Sequence, residues 1–431
     1  MTGGSNQLSI INHQLLNVIQ MNLLKRGAAF WATIIPGLFL IAYNIGTGSI
    51  TTMASSGAEF GMSLTWALLL SCVFTYFLVI AFSKYTMVTG NTALWGFRTH
   101  FGKSVTIFIL LALLLSEMFS SVGIMGVVTE VLREWSKPLT ANGEGFNQVI
   151  LACIFCALLY YTFWQGRQSF FEKILSIFVF IMGLCFLLTM FIVIPDPGDI
   201  IAGMVPKIPE GTNSFMIVAG MVGTTMGAIL YVVRSILISE KGWKISDMKI
   251  QRRDALVSVG MMFVLSFAIM ACAAGTLFPE GLRIYNAIDM VKLMEPLAGR
   301  LAISIFVAGI VSAGLSTLFP IILLGPWLIC DYLGIKRDMT TKWARALVLV
   351  CALSGLYVPV FGGRPVFIMI FSQSLMAIAT PLIIGLMMIL LNRRIIMGDH
   401  AAKIGQNIIY GIIFIFSVIM AIFGIKGIID M

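Results

Sequence analysis

Strongly apolar runs of roughly 20 residues recur from residue 28 to the end of the chain. At about 1.5 Å of rise per residue, each is long enough as a helix to cross the hydrocarbon of a bilayer. Eleven segments qualify: 28–55, 62–83, 104–131, 147–164, 174–194, 214–239, 255–278, 301–330, 343–361, 366–391 and 406–428. Apolar residues make up 59% of the 431 and charged residues 11%, proportions that no soluble domain of this length carries. Membrane β-barrels alternate weakly over ~10-residue segments; here the runs are unbroken, so the expected class is an all-α polytopic membrane protein. The polar start Met1 to Asn22 puts the first run too late, and its length makes it too long, for a cleaved signal peptide.

The net charge of +9 is distributed as topology. With the N-terminus placed in the cytoplasm, nineteen Lys and Arg fall inside and eight outside, and Arg234 lies within a span. The positive-inside rule therefore favours a cytoplasmic N-terminus, and eleven spans put the C-terminus outside. A bacterial inner membrane is the expected location, the bilayer the expected surroundings, and no nucleic-acid surface is needed to explain the charge. All seven cysteines fall inside spans, so no disulfide is implied, and Cys153 and Cys156 read as packing rather than redox chemistry. The three histidines lie in polar segments, which leaves none within the membrane as metal ligand or proton carrier. No P-loop, HExxH or intramembrane nucleophile with histidine occurs. Neither an enzyme nor a bound cofactor or resident metal is expected.

Two spans contain breaks by composition. The first holds "AYNIGTGSITT" (42–52), with Asn44, Gly46, Thr47, Gly48 and Ser49 together. The sixth holds "GMVGTTMGAILYVV" (220–233), with Thr224, Thr225, Gly227 and Ala228. Small residues also serve close helix packing. Two clusters five spans apart, however, point to discontinuous helices, tolerated only where the opened backbone lines a polar cavity.

The chain resembles the Nramp family of proton-coupled manganese and iron transporters, which has the LeuT-type fold. The resemblance spans nearly the whole chain and is carried by "SGAEFGMSLTW" (56–66), "TGN" (89–91), "VGTTMGAILYVVRSIL" (222–237), "SAGLSTLF" (312–319), "SQSLMAIATPL" (372–382) and "NRRIIMG" (392–398), in collinear order. It implies five-plus-five inverted repeats and one further helix. The expected organisation is a cytoplasmic segment 1–27, repeats 28–194 and 214–391, and a last span 406–428.

The departures from the family are at the metal site. The family's helix-one break reads Asp-Pro-Gly-Asn, where this chain has Gly46-Thr47-Gly48-Ser49. Its helix-six break reads Met-Pro-His, where this chain has Gly227-Ala228-Ile229. The carboxylate is thus Gly46, the thioether Gly227 and the amide Ser49, while Gln373 in helix ten is kept. A dehydrated divalent ion needs anionic or strongly donating ligands, so weak manganese binding is expected. The lost bulk suggests room for something larger. "IGTGS" is also similar to the helix-one break of amino acid–polyamine–organocation transporters, where a carboxylate rests on free N–H groups. The leading expectation is therefore a secondary transporter of a small zwitterion or anion, most simply an amino acid, by alternating access and symport with H⁺ or Na⁺. The substrate site would be Asn44, Gly46, Thr47, Gly48, Ser49, Thr224, Thr225, Gly227, Ala228 and Gln373. The alternative is a transporter of Mn²⁺ or Mg²⁺ with an atypical site, and this needs a replacement carboxylate facing the gap. A receptor on the same fold is a third reading.

Glu117 and Arg234 are the ionisable residues in mid-span. Such residues face a cavity or each other. By resemblance, Glu117 matches the first acid of a helix-three proton route whose second acid is Ser120 here. It then carries a proton, tuned by Arg234, or else forms a permanent ion pair with Arg234 that holds helices three and six.

Overall fold

The computed structural model describes residues 46–166, 168–211, 213–293 and 300–430. Asn44, the segment 1–27 and most of the first expected span lie outside them. The described residues are helical, with no strand among them. In chain order the helices are α1 (Thr47–Phe60), α2 (Thr65–Thr89), α3 (Ala93–Phe101), α4 (Lys103–Ser136), α5 (Gln148–Gln165), α6 (Gln168–Ile192) and α7 (Pro197–Ala202). Then come α8 (Ser214–Thr225), α9 (Ala228–Lys241), α10 (Met248–Thr276), α11 (Arg300–Leu333), α12 (Lys342–Ser354), α13 (Tyr357–Phe361), α14 (Pro365–Asn392), α15 (Arg394–Met397) and α16 (Ile404–Ile429).

Among the described residues, eight helical stretches are long and apolar enough to cross a membrane. Their outward side chains remain apolar: Phe108 and Leu111 on α4, Ile154 and Tyr161 on α5, and Ile412 and Ile415 on α16 are all exposed, as are Phe180 and Phe191 on the shorter apolar stretch Ile177–Ile192. Surfaces of this kind suit lipid. Inside lipid the hydrophobic effect does not drive helix association, so close packing at small residues takes its place. A methyl group at Gly223 of α8 would overlap the backbone carbonyl of Gln373 in α14. The two helices can touch only because that position is glycine.

The expected ninth span, 343–361, is not one helix. It is α12 and α13, separated at Gly355 and Leu356. In a continuous helix the ring of Pro359 would press on the carbonyl four residues earlier, that of Gly355, which favours a kink or break there. The seventh span starts earlier than its apolar run: α10 opens at Met248 and carries Gln251 and Asp254 into the protein, where both are buried.

The sixth span is two helices. α8 ends at Thr225 and α9 begins at Ala228, with Met226 and Gly227 between them and Gly227 extended (φ −63°, ψ 135°). α1 likewise starts abruptly at Thr47 behind an extended Gly46 (φ −79°, ψ −179°). Both half-helices are buried, and α14 packs against α4, α8 and α16 while α1 packs against α10. The ends of α1, α8 and α9 are thereby brought together deep in the protein, against the unbroken helices α4, α11 and α14.

Candidate functional site

The first turn of α1 supplies Gly48 and Ser49, and the end of α8 supplies Thr224. Ser49 Oγ and Thr224 Oγ1 are 2.8 Å apart and joined by a buried hydrogen bond. This one bond ties the two half-helices at their broken ends. The facing wall comes from α4 and α14, pinned in register by Ser116 Oγ donating to the carbonyl of Ser372 at 2.8 Å. The next residue of each helix, Glu117 and Gln373, lines the cavity between the walls.

Thr317 of α11 and Met376 of α14 complete the lining that matters for chemistry. The space open to the centre of a water molecule is about 30 Å³. On that measure one water needs roughly 10–15 Å³, so the cavity takes an ion with a water or two. As it stands in this structure, that space is smaller than an amino acid needs. The space expected from the glycines is already filled. A methyl group at Gly46 would overlap the Thr317 side chain, and one at Gly227 would stand 2.8 Å from Met376 Cγ.

Glu117 is 5% exposed and is the single ionisable side chain among the described lining residues. It would repel a substrate carboxylate placed beside it, at a cost of several kcal/mol at these distances. The N-terminus of α9 does not offer its first amide to an anion either. The Ala228 N–H donates to Thr380 Oγ1 at 3.2 Å, and Thr380 Oγ1 donates onward to the carbonyl of Met376 at 2.8 Å.

Of the residues expected at the site, Gly48, Ser49, Thr224, Gly227, Gln373 and Glu117 line one cavity. Four others point elsewhere. Thr47 is fully buried, its Oγ1 3.3 Å from where a Gly314 methyl would lie. Thr225 turns to α2, its Oγ1 2.6 Å from Ser71 Oγ and its carbonyl accepting from Thr75 at 2.9 Å. Ala228 is engaged by Thr380, and Gly46 is sealed by Thr317.

The expected link between Glu117 and Arg234 is corrected. Arg234, fully buried about two turns along α9, makes its ion pair with Asp254 and donates also to Gln251, whose amide donates to Ser83 Oγ at 2.7 Å. Its partner is α10, because that helix begins before its apolar run. A buried guanidinium requires such a counter-charge. Sequence reasoning missed Thr317 and Met376 altogether. The signal for Met376 was its spacing: with Gln373 it lies three residues along one helix, on the same face. Among the described residues no cluster of three or more His, Cys, Asp or Glu side chains is placed to hold a metal ion.

A family model described as "Natural resistance-associated macrophage protein-like" matches residues 37–426. The chain is 24% identical over 395 residues to the "Natural resistance-associated macrophage protein 2 homolog" of Dictyostelium discoideum, an alignment covering 88% of this chain and 61% of that protein. It is 22% identical over 363 residues to the "Divalent metal cation transporter MntH" of Caldanaerobacter subterraneus subsp. tengcongensis, covering 82% and 83%. Among solved structures it resembles a histidine-to-alanine variant of the Eremococcus coleocola manganese transporter, with TM-score 0.71 at 14% identity over 92% of this chain and 87% of that one. It also resembles Mhp1, a nucleobase-cation-symport-1 family transporter, with TM-score 0.58 at 16% identity over 92% and 90%. At these identities the structural likeness is one of fold.

Proposed function

Because this chain belongs to the natural resistance-associated macrophage protein-like family, we propose that it carries a divalent metal cation across the membrane through the cavity between Glu117 and Gln373. The fold is of the LeuT type, all-helical, with its sixth span broken. The expectation of an amino-acid substrate with H⁺ or Na⁺ symport is corrected. The family match covers residues 37–426. One reported relative is named a divalent metal cation transporter and one structural relative a manganese transporter, whereas Mhp1, of lower TM-score, is named for nucleobase symport.

The observation that carries the reading is Glu117. A metal reading of the sequence required a carboxylate facing the gap, and the first and sixth spans contain none near the break. Helix α4 brings one from the opposite wall. A hard oxygen donor of full charge, the Gln373 amide, and the Ser49, Thr224 and Thr317 hydroxyls make a set suited to a cation that keeps part of its hydration. A single carboxylate with neutral donors holds the ion without trapping it, as a carrier site must.

In this reading the two five-helix repeats are 28–194 and 214–391, with 406–428 beyond them, and residues 1–27 and the basic loops face the cytoplasm. The broken helices α1, α8 and α9 move against α4 and α14 to open the cavity to each side in turn. The test is uptake of Mn²⁺ and Mg²⁺ by purified protein in liposomes, together with calorimetric binding. Saturable uptake of either ion, lost in Glu117→Gln, is expected. Absence of binding and uptake for both would overturn the proposal.

A further inference from the structure

Val73, Phe77, Ile80 and Lys84 stand at i, i+4, i+7 and i+11 of α2, an exposed or half-buried stripe on a helix that is otherwise mostly buried. The stripe is apolar until it ends in the Lys84 ammonium, on the side that the positive-inside count assigns to the cytoplasm. Helix α2 packs against α10 and touches α16, and both neighbours bring a cation to the same place. Gln406 Oε1, in the first turn of α16, accepts from the Lys403 N–H at 3.2 Å and from Lys84 Nζ at 3.4 Å. The charges acting on Lys84 are those of Lys403 and Arg252, both of its own sign. No ion pair among the described residues includes any of the three. The acids at the start of α10 are engaged elsewhere, Asp254 with Arg234 and Asp247 with the Lys244 N–H at 2.9 Å. Asp399 stands exposed in the turn before Lys403.

We propose that Lys84, Arg252 and Lys403 hold the phosphate of an anionic phospholipid, whose acyl chains lie along the outward stripe of α2. Like charges repel, and one anion set among three cations turns that repulsion into attraction. Phosphate oxygens accept from ammonium and guanidinium groups alike, and basic pockets between membrane helices on the cytoplasmic side suit such headgroups. A positive-inside bias asks only that basic residues lie on this side; it does not require three of them, from three helices, to converge. A free phosphate would satisfy the charges alone, and the apolar surface continuous with them selects the lipid. Leu256, one turn along α10 from Arg252, is 62% exposed, and Ile404 and Ile408, following Lys403, are 82% and 59% exposed. The corner that presents Lys403 is fixed. Asn392 and Asn407 exchange side-chain hydrogen bonds of 2.9 and 2.7 Å, and the Ala402 N–H donates to the Leu391 carbonyl at 2.9 Å.

The probe is phosphatidylglycerol, added to the detergent-purified full chain and counted by native mass spectrometry against phosphatidylcholine of the same acyl chains. Each basic residue beside an anionic headgroup is worth about fivefold in affinity. Wild type should prefer phosphatidylglycerol, and Lys84→Gln with Lys403→Gln should weaken that lipid roughly 25-fold while leaving phosphatidylcholine unchanged. Arg252→Gln, at an exposed side chain, should cost about fivefold on its own and carries the test if the double variant does not fold. Lys336→Gln with Lys342→Gln removes the same charge from exposed positions elsewhere on this side and should leave the preference intact. Inorganic phosphate and glycerophosphoglycerol should not displace the lipid. Equal binding of the two lipids by wild type overturns the site. An equal loss in the Lys336 and Lys342 control also overturns it, since surface charge at large would then account for binding. Displacement by inorganic phosphate would leave an anion site without a lipid and overturns the assignment.

Discussion

Replacing Glu117 by glutamine keeps the shape of the cavity and removes its charge. The side chain is 5% exposed and the water-sized space beside it is about 30 Å³, so a bound cation sits close to the carboxylate. Unit charges 4 Å apart attract by about 4 kcal/mol at an effective dielectric near 20, which makes roughly 8 kcal/mol for a doubly charged ion. Stripping water from ion and carboxylate offsets several kcal/mol of this. A net loss of about 3–4 kcal/mol remains, or two to three decades in Kd. The assay is titration of Mn²⁺ into wild type and Glu117→Gln, with size-exclusion and circular dichroism to establish that the variant is folded. If Mn²⁺ affinity changes by less than about threefold, roughly 0.6 kcal/mol, the carboxylate does not face the ion.

Arg234→Met should lower the melting midpoint in detergent sharply, since an orphaned buried Asp254 costs roughly 3–5 kcal/mol, and Arg234→Met with Asp254→Leu should recover much of that; equal midpoints for the single and double variants would refute the pairing. Gly223→Ala should destabilise by about 1–3 kcal/mol or more, because the obstruction is the Gln373 backbone carbonyl and cannot rotate away. An unchanged midpoint there would contradict the α8–α14 approach. Gly46→Ala should impair folding and transport. Thr317→Ala, which removes the obstructing hydroxyl and methyl, should partly rescue it; a Gly46→Ala variant that behaves as wild type would show the two positions to be apart.

Eight of the eleven expected spans appear as membrane-length helical stretches among the described residues, legible because lipid imposes a length and a composition on each helix. The break in the sixth span was legible as well: Gly227 marks it, and α8 and α9 stop on either side. Facing was less legible. Glu117 and Arg234 are both ionisable residues in mid-span, and a linear chain does not show that one opens on a cavity while the other meets Asp254. That pairing depends on α10 extending into what reads as a basic loop. The glycines at 46 and 227 suggested vacancy, but whether missing bulk leaves a void depends on neighbours distant in sequence, here Thr317 and Met376. Gly355 and Pro359 were readable as a helix break and were masked by the apolar run around them.

The single ionisable side chain among the described cavity residues has an electrical consequence. Glu117 belongs to α4, a helix without a break. For the proposed divalent cargo, released while Glu117 stays with its helix, the travelling charge would be +2, uncompensated by any carboxylate moving with it. Each elementary charge crossing the membrane potential is worth about 2.3 kcal/mol per 100 mV, so each ion gains or loses about 4.6 kcal/mol per 100 mV. That is over three decades of concentration ratio at equilibrium. Voltage alone, inside negative, would suffice to accumulate the ion.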